Sequence, residues 1–598
     1  MDTVNERIMR VRDLMEKRGL DAFLVLTEDP HGSEYPANHW KFREYLSGFN
    51  GSAGVLLITK QHVGLWTDSR YYLQAEKQLR ASSIELFKQG TPGVPDYVSY
   101  LTYILPSGSV VGVDGFTLSY GKYKEMRREL DAFDIRINYK VDFHEDVFAP
   151  RESLPLNEVT EMLPDVAGLT RIEKVAKVRE EMIKNNVTHY IVSALDDIAW
   201  LTNLRGTDVD YNPVFYAYMI ITHEEEHLYI NPHKLTSTIS KRLAEDGIKV
   251  SLYDHFEKNL GNLSDGSIVY YDKQRASVRN IYALPDNVKK IGGESLISKL
   301  KGRKSATELK HIDLVHERDG VAMVRFLYWL ERAMELNTRL TEMDIAEELL
   351  SFRRDQEYFM GESFGTISAY GSNAAIVHYT PTIETNKLIE NRGFLLLDSG
   401  GQYVDGTTDL TRTISMGELT EMEKRDYTLV LKGHIALATQ QFPEGTRGVH
   451  LDTIARMSMW QEGLDYGHGT GHGVGYFLSV HEGPQKIAKI DNGNAIEEGM
   501  LTSNEPGLYR ADKYGIRIEN LTVCEKSIET EFGSFLRFKT VTLCPIDTKP
   551  IVVEMLTDKE LQWLNDYHKM VRERLAPYLN IYPDELKWLE NTTRPLER

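Results

Sequence analysis

The strongest constraint on how this chain folds is a plan that it writes twice. Arg10 to Leu26 (RVRDLMEKRGLDAFLVL) carries the apolar spacing of an amphipathic helix, a stop at Gly19, and then a buried-strand run. Lys174 to Ala194 (KVAKVREEMIKNNVTHYIVSA) repeats it, with Asn186 in the place of the glycine. Each copy leads into a similar element, REYLSGFNGSAGVLLIT from Arg43 to Thr59 and DIAWLTNLRGTDVDYNPVFYAYMIIT from Asp197 to Thr222. The repeat predicts two related α/β domains. A chain of 598 residues exceeds what one hydrophobic core serves, so two to four domains are expected in all.

The remaining boundaries follow from local chemistry. The proline-rich FAPRESLPLNEVTEMLPD reads as a linker and places a boundary near residue 155. Gly302 breaks the next pattern, and Ser305 with Glu308 forms a capping box that opens a long helix. The division is therefore 1–155, 156–302 and 303–598. Within the long helix, His316-Glu317 lacks the second histidine of a zinc HExxH motif, so His311 and His316 are expected on the helix surface. Thr557 and Glu560 start a second cap, and residues 557–598 read as amphipathic helices packed on the third domain.

Charge excludes several functions. With 70 basic against 89 acidic side chains the net charge is −19, which disfavours nucleic acid and anionic membrane surfaces. The N-terminal residues are charged throughout, and no run approaches the roughly 18 apolar residues of a membrane helix. Cys524 and Cys544 are too few for a disulfide framework or a thiolate zinc site. These features predict a cytoplasmic protein with neither nucleic-acid nor membrane partners.

From residue 390 the pattern changes to strand-like segments that each deliver one acid. In GFLLLDSGGQYVDGTTDLTRT an apolar run ends at Asp398 and a glycine turn leads to Asp409, as in a hairpin that returns one carboxylate to another. In GMLTSNEPGLYRADKYGIRIENLTVCE the device recurs with Glu505 and Glu519; Arg517 and Glu519 share one face, and Ile516 and Ile518 face the core. One acid beside a glycine is usually a turn residue. Four at strand ends, around the stretch YGHGTGHGVG (Tyr466 to Gly475), point to a cation instead, because crowded carboxylates raise one another's pKa. Oxygen-dominated ligation with an imidazole favours manganese, with cobalt, iron or zinc as alternatives. The number of carboxylates favours two ions, about 3.5–4 Å apart. The glycine stretch lacks a phosphate loop's spacing and its Lys-Ser/Thr ending.

The strings DGTTDLTRT, HGTGHGVG, NEPGLY and GIRIEN, with WLTNLRGTDVDYNPVFYAY and LTDKELQWLNDYH outside them, resemble the pita-bread metallopeptidases. The closer resemblance is to three-domain cytosolic aminopeptidase P, the Xaa-Pro aminopeptidases. It implies two creatinase-N-like α/β domains before a pita-bread domain, and a homodimer. Asp398 and Asp409 would bind one metal, Asp409, His472 and Glu505 the other, and Glu519 would bridge both. His378, His468 and His481 match active-site histidines that contact the scissile peptide and the proline, and Tyr509 and Arg517 match a pair around the metals. Asn504 stands where relatives often carry Asp. The implied reaction removes an N-terminal residue from short peptides with proline second, by attack of a metal-bridging hydroxide, with Glu505 carrying the proton to the departing nitrogen. The competing readings are a prolidase restricted to Xaa-Pro dipeptides, a methionine aminopeptidase, and a non-catalytic binding module.

Overall fold

The computed structural model describes residues 2–598. One compact unit is the chain up to Met162 together with Leu169–Leu300; the other is Leu163–Gly168 with Lys301–Arg598. The first unit realises the repeat down to its punctuation. Its helices Val4–Lys17 and Arg171–Lys184 both open on a capping box, Thr3 with Glu6 and Thr170 with Glu173. Both end in a left-handed turn, at Gly19 (φ 64°) and Asn186 (φ 51°), the two residue types that enter that region at least cost.

Each helix feeds a six-stranded sheet of the same topology. The first runs in the order Glu85–Lys88, Val63–Thr67, Val55–Thr59, Ala22–Val25, Val110–Val113, Arg136–Asn138. The second runs Ile248–Ser251, Glu226–Ile230, Ala217–Thr222, His189–Val192, Ile268–Asp272, Lys289–Gly293. In both, the third strand pairs antiparallel with the second and fourth strands and the remaining contacts are parallel. Buried polar contacts tie the halves together: Tyr216 Oη donates to Asp29 Oδ2 at 2.8 Å, and His31 joins Ser193 O (2.7 Å) to Tyr253 Oη (2.8 Å).

The second unit opens with the helix Ala306–Glu335, capped by Ser305 and Glu308. His311 is half-buried on it, 3.1 Å from Asp405 Oδ2. The expectation of a surface position fails for His316, which is 2% exposed with its Nδ1 2.7 Å from Ile312 O. The reason is that this helix is packed on more than one face: Gly320 lies against Leu543 and Leu575, where any Cβ would collide. Phe326, Leu327 and Leu330 of the same helix are core residues. The terminal helices Asp558–Leu579 and Pro583–Thr592 complete the packing, with Leu564, Val571, Leu575 and Leu589 in one cluster with Val324, Tyr427, Ile516 and Ile518.

Two antiparallel sheets carry the acids. One has the order Ile367–Tyr370, Phe394–Ser399, Leu410–Ser415; the other has Gln441–Pro443, Gly533–Thr540, Asn520–Thr530, Leu501–Asn504. Among the described residues no helix is long and apolar enough to cross a membrane.

Burial here has a pH consequence. Desolvation, reinforced by the Arg412 guanidinium, pushes His434 down to about 3 and His568 to about 4. Both therefore stay neutral in the folded chain but take up protons near pH 6.5 once unfolded, so their contribution is present above that pH and is lost as pH falls through 6.5 towards the folded values. At pH 5 each costs about 2 kcal/mol. His568→Leu is expected to narrow the difference in melting temperature between pH 7.5 and pH 5; an unchanged difference would remove His568 from the account.

Candidate metal centre

Backbone pairing assembles the four acids. Asp398, near the end of Phe394–Ser399, sits opposite Thr411, and Asp409 immediately precedes Leu410–Ser415, which pairs back along the first strand. Glu505 follows Leu501–Asn504, and Glu519 precedes Asn520–Thr530, its paired neighbour. The two sheets meet where the Glu519 amide donates to Thr411 O at 3.1 Å. Asp398, Asp409 and Glu519 are at most 7% exposed.

His472 completes the cluster. Its Nδ1–H donates to Gly473 O (2.9 Å), which leaves Nε2, whose lone pair can take either a proton or a cation, facing Glu505 Oε1 (3.3 Å) and Asp409 Oδ2 (3.5 Å). One donor atom each from Asp409, His472 and Glu519 lie within 4.8 Å of one another. The glycines around His472 permit this approach: a Cβ on Gly471 would meet Ser503 O at 2.0 Å, and one on Gly473 would meet Glu482 O at 2.1 Å.

The electrostatics of this cluster call for positive charge. Burial and the neighbouring carboxylates push Asp409 and Glu519 far above the carboxylate range, and burial also raises Asp398 against the pull of Arg517. Despite burial, Glu505 is held down to about 2 by its contact with His472, which burial would lower but Glu505 raises to about 9. Asp398 Oδ1 and Glu519 Oε1 are buried and have no hydrogen-bond partner. Two bare buried carboxylate oxygens beside an imidazole lone pair fit a divalent cation site. Asp398, Asp409, Glu505 and Glu519 crowd round the Arg517 guanidinium and the His472 ring, an excess of negative charge that suits divalent cations.

Around the acids runs a chain of hydrogen bonds. Arg517 donates to Asp398 Oδ2 (2.5 Å), Tyr509 Oη (2.6 Å) and Thr411 Oγ1 (3.1 Å). Tyr509 in turn donates to His468 Nε2 (2.8 Å), and His468 Nδ1–H donates to Gly469 O (2.7 Å). Burial, with Arg517 and Arg456 nearby, pushes His468 down to about 4, so its ring is neutral and both of its nitrogens are engaged. His481 stands 4.4 Å from His472 and 6.4 Å from His378, measured between ring centroids, and all four histidine residues are half-buried. The structure thus places His481 and His378 together beside His472 and puts His468 behind Tyr509. His468→Asn is expected to keep the cation content and lower turnover about 10- to 100-fold; metal analysis beside kcat checks it, and unchanged kinetics would remove His468 from the site.

Three buried groups that sequence reasoning missed hold this arrangement. Glu342, fully buried at the start of the helix Glu342–Arg354, accepts from Tyr370 N (2.6 Å), Asn373 Nδ2 (3.0 Å), Tyr379 Oη (2.8 Å) and Lys387 N (2.9 Å), on both sides of His378. Arg456, paired with Asp452 (2.7 Å), donates to the carbonyls of Tyr466 and His468, both at 2.7 Å. Lys304 Nζ reaches Glu482 Oε1 at 3.0 Å, next to His481. The available signal was misleading, since an acid in a helix's first turn and an Asp/Arg pair at i, i+4 both read as solvent-exposed features.

A buried carboxylate centre on two sheets, with one imidazole lone pair among the acids, defines a metallohydrolase-type site, and comparison with known proteins narrows the class. Residues 310–526 match metallopeptidase family M24 and 534–596 its C-terminal region; residues 7–137 and 150–308 match the creatinase/prolidase N-terminal domain. Aminopeptidase P2 of Arabidopsis thaliana is 38% identical over 100% of this chain and 89% of its own length. Xaa-Pro aminopeptidase 1 of Dictyostelium discoideum is 38% identical over 99% and 97%. The crystal structure of X-prolyl aminopeptidase from Caenorhabditis elegans, described as a cytosolic enzyme with a di-nuclear active site, superposes with a TM-score of 0.96 at 32% identity over the full length of both chains. A Xaa-Pro dipeptidase from Bacillus anthracis, 22% identical with a TM-score of 0.50 over 63% of this chain, shares the fold. This chain belongs to the Xaa-Pro aminopeptidases of metallopeptidase family M24. It is a hydrolase with two creatinase-type N-terminal domains, a pita-bread domain and the acidic, histidine-containing centre of a dinuclear metallopeptidase.

Proposed function

We propose that the chain releases the N-terminal residue from short peptides whose second residue is proline. The observation that carries this reading is the buried cluster of Asp398, Asp409, His472, Glu505 and Glu519, with its two unpartnered carboxylate oxygens, in a chain similar over its whole length to enzymes named for that activity. Its parts are the domains 1–155, 156–302 and 303–598, with the third carrying the chemistry.

In this reading Asp398 and Asp409 would hold one divalent cation, Asp409, His472 and Glu505 the other, and Glu519 would contribute to both. The donor set, mostly carboxylate oxygen, supports manganese. Two cations so held would supply a hydroxide nucleophile at neutral pH, a binding point for the substrate's free amine and polarisation of the scissile carbonyl. Glu505, already in its ionised form in this cluster, would accept the proton released as the nucleophile forms. It returns that proton to the proline nitrogen, which has no N–H of its own and departs as a secondary amine. His481 and His378, beside His472, stabilise the oxyanion. Arg517 and Tyr509 keep Asp398 and His468 oriented, and the neutral His468 borders the proline.

A cytoplasmic location is supported by the cytosolic Caenorhabditis elegans enzyme, and a homodimer by the family resemblance. Sedimentation of the purified protein checks the dimer. The test that separates aminopeptidase from prolidase is a tripeptide: Arg-Pro-Pro is expected to yield free arginine, whereas cleavage of Arg-Pro alone would make the enzyme a prolidase.

A further inference from the structure

The proposed reaction uses none of the titratable residues of the first sheet, and three of them converge at one edge of it. Asp114 follows the strand Val110–Val113, and Asp142 and His144 follow its parallel neighbour Arg136–Asn138. Donor atoms from the three lie within 4.8 Å of one another. His144 Nδ1 stands 2.8 Å from Asp142 Oδ1 and 3.6 Å from Asp114 Oδ2. The 3.6 Å gap is that of two donors on one first-row ion, and the 2.8 Å contact is the hydrogen bond that such an ion would replace.

A second observation points to a ligand. Asp114 is 5% exposed; its Oδ1 accepts from Phe116 N at 2.8 Å, but its Oδ2, buried and turned towards His144, has no hydrogen-bond partner. A bare carboxylate oxygen in that position is costly without a counter-charge. The cationic groups whose fields reach the pair are committed elsewhere, the His144 Nδ1–H to Asp142 Oδ1 at 2.8 Å, Arg151 to Glu145 at 2.9 Å and Arg279 to Glu257 at 3.3 Å. Burial holds the Asp114 carboxyl up at about 6. The His144 ring is fixed by Phe42, 4.4 Å between centroids, and Trp40, 5.8 Å.

We propose that Asp114, Asp142 and His144 bind one divalent transition-metal ion of the zinc type, independently of the catalytic centre. Two carboxylates and an imidazole are a donor set that zinc accepts, and the Asp142 side chain, 47% exposed, leaves the ion a path from solvent and a position for water. Binding replaces the proton on Nδ1, gives Asp114 Oδ2 its partner, and cross-links the ends of two neighbouring strands.

The test compares full-length wild type with Asp114→Asn and His144→Gln after equilibration with zinc chloride and desalting. Zinc per chain is expected to fall by one equivalent in each variant, while kcat on a Xaa-Pro peptide stays at the wild-type value. Asp114→Asn preserves shape, so it carries the result if His144→Gln melts below the wild type before zinc is added. Zinc content equal to wild type in a folded variant overturns the proposal, and turnover that falls together with the zinc overturns the independence of the site.

Discussion

Glu519→Ala is expected to empty the metal centre and abolish turnover, lowering kcat/KM by more than about four orders of magnitude, because the hydroxide nucleophile depends on the cations. Glu519 has a position no other acid shares. Its amide is tied to Thr411 O, its Oε2 accepts from Thr411 Oγ1 at 2.8 Å, and its Oε1 has no protein partner. Removal takes away the carboxylate proposed to serve both ions, and it leaves Asp409 and Asp398 repelling each other with less to hold a cation between them. The first unit, with its own cores, keeps its fold. Metal analysis, peptide hydrolysis and far-ultraviolet circular dichroism check the three parts; wild-type turnover in this variant would refute the bridging role.

Glu342→Ala is expected to produce the largest loss of stability, about 4 kcal/mol, because four donors, three of them buried, would lose one acceptor at once. Those donors lie on both sides of His378, so turnover should fall along with stability even though Glu342 touches no member of the metal cluster. Glu342→Gln keeps one carbonyl acceptor but presents its amide to the Lys387 N–H, a donor facing a donor, and should show an intermediate loss. Thermal melting of the three proteins, with metal content measured beside it, distinguishes this from a metal effect. A melting temperature within a degree of wild type in Glu342→Ala would contradict the positioning role.

How much of this was legible in the sequence follows from how far each signal reaches. The repeat was legible because helix caps, left-handed stops and apolar runs are local: Thr3 and Thr170, Gly19 and Asn186 do the same work a few residues from where they are read. The pairs of acids were legible because strand ends are fixed by apolar runs, and Asp398 and Glu505 each stand at one. What escaped depends on contacts between distant segments. Glu342 is a first-turn acid by pattern, and only the chain returning through Tyr370–Lys387 buries it. Arg456 and Asp452 have the spacing of an exposed helical pair, yet both are 1% exposed beneath the glycine stretch. His316 follows the same logic, since its burial depends on distant segments that pack the helix on more than one face. The two histidines of YGHGTGHGVG looked alike in sequence, and the fold separates them: His472 presents a lone pair to the acids, while His468 is closed off by Gly469 O and Tyr509.

The most direct measurement is the release of the N-terminal amino acid from matched peptides that differ only in proline or alanine at the second position, with the metal-stripped protein assayed before and after manganese is added. Release is expected from the proline peptide alone, absent after stripping and restored by manganese. Equal release from both peptides, or release that survives removal of the metal, would contradict it.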